Sequence, residues 1–191
     1  MTARVQRDMS WSSRLFKERV WPTLMESLNF GELLQMEGRP DADLALQLDM
    51  QSGIDAWELL RGGGMRGVAA RVQESPKSWK SFTVRMERSN GAKTEYAKRW
   101  DAINGGHGLI YPHLTVQAYA QTKDGPIIEV GVCRTSDLIQ FIDDGNHHVR
   151  KTTNATFAAC YWRDMANQGI DVETVTPTEP RNNKTELSAT R

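Results

Sequence analysis

Two cysteines in 191 residues, Cys133 and Cys160, are too few and too far apart to form a CxxC pair or supply a zinc site. They read as reduced, semi-buried residues of a cytosolic protein. Net charge is missing too, because 24 Lys and Arg balance 24 Asp and Glu. The whole chain is therefore no polycation, and any binding to nucleic acid has to come from a local patch. Long apolar runs are absent, and the opening MTARVQRDMS lacks the apolar core of a signal peptide. These absences predict a soluble, cytoplasmic protein with no membrane partner. The glycine triplet Gly62–Gly64 is followed by no GKS or GKT, which excludes a phosphate loop of the nucleotide-binding kind. No internal repeat is present.

What the chain does have is segregated charge. From Met25 to Glu58 eight acidic residues face one basic residue, Arg39, whereas Arg61 to Arg99 carries ten Lys and Arg against Glu74, Glu87 and Glu95. Carboxylates beside a basic face suit a metal-assisted site for a polyanion; an ordinary solvated surface can show the same pattern. The length fits one domain, expected over residues 1–176, with a polar, disordered tail over 177–191. The six Trp residues read mostly as core.

Periodicity outlines the elements. Phe16, Val20, Leu24 and Leu28 predict a helix capped by Ser12 or Ser13, kinked or broken at Pro22 and ended by Gly31. Residues 53–60 predict a strand, Gly62–Gly64 a hairpin turn, and Gly67–Gln73 its partner. Ser81–Glu87 alternates Phe82, Val84 and Met86 against polar residues, as a third strand of the same meander would. Thr94 is expected to cap a helix with Tyr96, Trp100 and Ile103 inward and Lys98, Arg99 and Asp101 outward or sideways. Two strands follow (114–120 and 127–133), then a short helix capped by Ser136. A polar loop, 146–153, holds His147 and His148, which as neighbours make a poor chelating pair. A strand near 156–162, a helical turn and the segment IDVETV complete the pattern. Asp55 is the best single functional flag, since aspartate is disfavoured inside a strand and costs desolvation there.

This order of elements, with Asp in GIDAW and the strand GVAARVQ across a glycine hairpin, resembles the core of the PD-(D/E)XK nuclease superfamily over roughly Ser12 to Asp143. The resemblance implies an α/β (α+β), restriction-endonuclease-like fold, a central mixed sheet flanked by helices. It implies that Asp55 binds Mg²⁺ or Mn²⁺ with Asp49 assisting, and that Gln73 orients water or phosphate. Hard oxygen ligands would hold the ion, which polarises the phosphate and generates hydroxide. Arg71 stands where the superfamily places an acidic residue, so it puts a cation at a ligand position. Glu18, Glu26 or Glu32 of the first helical region would then have to compensate. A looser similarity joins FTVR, SNGAKTEYAKR and YPHLTVQAY to uncharacterised phage-encoded proteins.

The expected function is metal-dependent phosphodiester hydrolysis by a nucleic-acid-binding protein, a possible Mg-dependent endonuclease acting on DNA. Catalysis would fall to Asp55, Gln73 and Arg71, and backbone contact to Lys80, Arg85, Lys93, Lys98 and Arg99. Two alternatives stand beside it. One is a catalytically inactive nuclease-fold subunit that binds DNA or RNA, supported by Arg71. The other is a phage-encoded protein–protein or inhibitor module, with a protein partner or a homodimer.

Overall fold

A helix over residues 11–28 (α1) presents Leu15, Phe16, Val20, Trp21 and Leu24 to the core, all at most 4% exposed. The computed structural model describes residues 11–35, 53–105 and 110–177. A kink or a break was expected at Pro22, and the chain stays helical through it. The turn before it, Phe16–Val20, is π-wound, and the Trp21 N–H donates to the Phe16 carbonyl. The wider turn makes room for the proline ring, and the Thr23 hydroxyl takes the Arg19 carbonyl at 2.9 Å. The helix ends at Asn29, in the left-handed region at φ 56°, two residues earlier than expected. Gly31 has a different duty: a Cβ there would lie 1.8 Å from the Leu59 carbonyl oxygen.

Six strands form a mixed central sheet: β1 (Glu32–Gln35), β2 (Ala56–Leu59), β3 (Met65–Glu74), β5 (Leu114–Ala120), β6 (Ile127–Arg134) and β9 (Glu173–Val175), in that spatial order. Only β3 and β5 run parallel. The β2–β3 hairpin turns at Gly63 and Gly64, at φ 89° and 91°, as the glycine triplet predicts. β1, which sequence patterning did not disclose, pairs with β2.

The third strand of the expected meander goes elsewhere. β4 (Ser81–Arg88) joins β8 (Ala155–Tyr161) and β7 (His148–Lys151) in a second, antiparallel sheet. The reason is topological: β5 takes the free edge of β3, and a parallel neighbour needs a long crossover, which β4 and α2 (Glu95–Asn104) supply. β7 lies in the segment expected to be loop. It is exposed along its whole length, so no hydrophobic alternation marks it.

Two cores result. On one face of the central sheet α1 covers Val68, Val72, Val116, Val130 and Val132. On the other, Tyr119 and Cys133 meet Phe82, Val84, Ala158 and Cys160 of the second sheet, Leu138 and Phe141 of α3 (Thr135–Asp143) and Met165 of α4 (Trp162–Asn167). Both cysteines are free and buried outright rather than semi-buried. Burial pushes the Cys133 thiol well above its ordinary value and that of Cys160 up to about 12, so both stay protonated and inert. Two helix starts differ from expectation. Ser136 lies inside the first turn of α3, which starts at Thr135 without a side-chain cap. Ser12 lies within α1 and serves an edge of β3 instead. Among the described residues no helix is long and apolar enough to cross a membrane.

Candidate functional site

β3 outruns β2. The hairpin pairing stops at Ala56 opposite Val68, and beyond it the β3 groups facing that side need other partners. Asp55 and Ser12 supply them. The Asp55 N–H donates to the Val68 carbonyl at 2.9 Å, and its Oδ2 accepts the Ala70 N–H at 2.7 Å. The Val72 N–H donates to Ser12 Oγ at 3.2 Å. A carboxylate and a hydroxyl thus stand in for a missing strand, which gives the aspartate flagged in the sequence a structural role of its own.

On the opposite face from α1, alternation along β3 turns Arg71 and Gln73 toward the second sheet. The Arg71 guanidinium lies over the Phe157 ring of β8, 5.1 Å from its centroid. Arg85 of β4 approaches the same ring at 5.3 Å. Gln117 sits beside Arg71 in register on β5 and is 1% exposed. Its Oε1 accepts from Thr83 Oγ1 at 3.1 Å, while its Nε2 is buried without a hydrogen-bond partner.

Glu95, the first residue of α2, serves this cluster. Its Oε1 lies 3.2 Å from Arg85 Nη1 and 3.8 Å from Arg88 Nη2, and its Oε2 accepts the Arg85 N–H at 3.0 Å. The Thr94 side chain caps the helix as expected. The buried face, however, carries Arg99 and Ala102, each 7% exposed, while Trp100 is 38% exposed. Arg99 is thus inward, contrary to the expected orientation. Tyr96 and Trp100 are held at the rim by hydrogen bonds to the two oxygens of Asp143, and this turns Glu95 and Arg99, one turn apart, toward the arginines. A Cβ on Gly53 would lie 3.7 Å from Arg99 Nε, which places that guanidinium against the segment leading to Asp55.

The cluster is electropositive. Burial lowers the pKa of Arg71, Arg85 and Arg99 push the same way, and Glu95 and Tyr119 oppose them. Guanidinium groups keep their charge regardless. Glu95 thus pairs with Arg85 and Arg88, and its charge also reaches Arg71, which Arg85 and Arg99 flank.

The remaining expected contacts scatter. Lys80, at φ 50°, pairs with Glu129 at 3.3 Å at the other end of β4. Lys93 pairs with Asp101 at 2.5 Å on the surface, and Lys98 has a partner of its own. Glu18, Glu26 and Glu32 are exposed. Asp49 lies outside the described residues, as do residues 178–191 of the expected tail. Among the described residues no three His, Cys, Asp or Glu are grouped to hold a divalent cation, and the Asp55 carboxylate accepts the Ala70 N–H. Glu95, Gln117 and Phe157 were missed by sequence reasoning. Only Glu95, an acidic residue in a first helical turn seven residues after Arg88 at the end of the preceding strand, left any mark there. No protein-family model matches this chain, and no curated protein or solved structure matches it.

Proposed function

We propose that this protein binds nucleic acid through the arginine cluster of β3, β4 and α2, as a non-hydrolytic binding subunit. The single observation that carries the reading is Arg71: a recessed guanidinium, stacked on Phe157, beside Arg85 and Arg99 with Glu95 as the cluster's shared counter-charge. Holding several arginines together against their mutual repulsion is costly, and an incoming phosphate relieves that cost with charge-assisted hydrogen bonds. The cluster is local, as a chain of zero net charge requires.

A relation to the PD-(D/E)XK core draws support from the β2–β3 hairpin, with Asp55 and Arg71 at the motif positions, and from the mixed central sheet. The departure of β4 to a second sheet counts against it. Arg71 at the acidic position favours an anion over Mg²⁺ or Mn²⁺ there, which is why binding is preferred to hydrolysis.

The test is fluorescence anisotropy of the full chain with labelled DNA and RNA over a salt series, with nuclease assays in Mg²⁺ and Mn²⁺ in parallel. Salt-sensitive binding without cleavage is expected, weakened by Arg71→Met and Arg85→Met. Metal-dependent cleavage lost in Asp55→Asn would replace this reading with phosphodiester hydrolysis.

A further inference from the structure

The two sheets meet across a polar seam. Ser81 Oγ and Tyr119 Oη lie 3.1 Å apart, Thr83 donates to Gln117 one step along, and Arg71 and Arg85 both approach Phe157 beyond that. The seam is shut at its inner end, where Ser81 and Ala159 are each 3% exposed. It opens toward the other end of β4, where the Arg85 and Arg88 side chains are 28% and 34% exposed. The arginines therefore border the mouth of a blind recess. The lysines expected to extend them into a row lie elsewhere: Lys80 pairs with Glu129 past the shut end, and Lys93 pairs with Asp101 on the surface.

The recess is short of acceptors. The Arg71 guanidinium rests on the Phe157 ring, and no carboxylate among the described residues pairs with it. Glu95 answers Arg85 and Arg88 instead. Two further donors are buried without a hydrogen-bond partner: Nε2 of Gln117, beside Arg71 in register, and Nε of Arg88. Buried donors left this way carry a desolvation cost that an entering acceptor removes. Guanidinium groups and an amide N–H at one mouth call for an anion with several oxygens.

We infer that the recess receives the phosphate monoester at the end of a nucleic-acid strand, in preference to the phosphodiesters along it. The inference rests on the nucleic-acid reading above and narrows its substrate class to strands with phosphorylated ends. Three physical arguments separate an end from the interior of a strand. An end phosphate has one tether and three free oxygens, so it can enter a blind recess end-on. An internal phosphate is tethered on both sides, and its strand has to pass through. An end phosphate also carries about −1.5 to −2 charges near neutral pH, more than a diester, which suits arginines that have one resident carboxylate among them. Finally, its three oxygens match donors that come from separate strands, Arg71 on β3, Arg85 on β4 and Gln117 on β5.

The experiment measures binding of the full chain to internally labelled DNA and RNA of about 16 nucleotides, single-stranded and duplex, each with a 5′-phosphate, a 3′-phosphate or hydroxyls at both ends. One phosphorylated form is expected to bind about tenfold more tightly than its hydroxyl-ended counterpart, the scale of one charge-assisted contact, and the tighter of the two identifies which end is read. Arg71→Met should abolish the preference and Gln117→Leu should reduce it. Arg71→Met removes no hydrogen bond of the fold, so it keeps the test informative if Gln117→Leu fails to fold. Equal binding of all three end forms, or a preference that survives Arg71→Met, overturns the inference and leaves the cluster as a contact for internal phosphates. Failure to bind any form overturns the proposed function itself.

Discussion

Asp55 Oδ2 accepts the backbone N–H of Ala70 at 2.7 Å, where β2 stops and β3 continues. A carboxylate flagged within a strand reads first as a metal ligand. Here its nearest duty is to close an edge, with Ser12 doing the same two residues further on. The two duties make different demands. Edge closure needs only an acceptor oxygen, whereas a metal ligand needs the negative charge.

Asp55→Asn should therefore melt close to wild type, and Asp55→Ala should lose about 1 kcal/mol, the worth of one hydrogen bond to a backbone donor. That loss corresponds to a fall in Tm of roughly 2–4 °C for a chain of this size. Thermal melts of both variants decide it, and equal losses in the two would show that the charge matters.

Arg71→Met should leave thermal stability unchanged or slightly raised. A desolvated cation with like-charged neighbours contributes little to folding, and methionine keeps an apolar contact with Phe157. The same substitution should weaken nucleic-acid binding about tenfold and reduce the salt slope by about 1, which anisotropy over a salt series measures.

Glu58 is 1% exposed and joins three segments: its Oε1 accepts the Gly31 N–H at 2.7 Å, and its Oε2 pairs with Arg66. Glu58→Ala should cost about 2–3 kcal/mol, the range for hydrogen bonds to a charged group lost from a buried site. Gly31→Ala should be worse, because its Cβ would overlap the Leu59 carbonyl. Urea titration should show a lower midpoint for both and the earlier transition for Gly31→Ala.

Tyr96 is raised to about 12 by burial, then by its hydrogen bond to Asp143 and the charge of that carboxylate. The folded state therefore holds this proton more tightly than the unfolded chain, whose tyrosine titrates near its ordinary value of about 10. The contribution to stability is complete below about pH 10 and is lost as pH rises through about 12. Tyr96→Phe should remove that part of the alkaline decline, seen as a smaller fall in Tm between those pH values than in wild type.

Much of the fold is legible along the chain. Alternation marks β4, helical spacing marks α1, and glycines mark the β2–β3 hairpin, because each signal is local. The site is less legible. Arg71 stood out by its position in a motif, but Gln117 and Phe157 are ordinary strand residues until β5 and β8 arrive beside it. Arg99 looked outward because helical spacing favoured Tyr96, Trp100 and Ile103, and Asp143 on another helix reversed the choice.

The sequence by itself determined where most of the strands and helices form, that charge is segregated between two stretches, and that no single-sign field covers the whole protein. Only the tertiary structure decided that β4 leaves β3 for β8, that Asp55 closes a strand edge, and that Arg85 and Arg88 share the Glu95 carboxylate. The physical reason is that an alternating strand specifies which face it buries but not which neighbour it pairs with. Pairing is settled by what competes for each open edge, and that competition involves residues far apart in the chain.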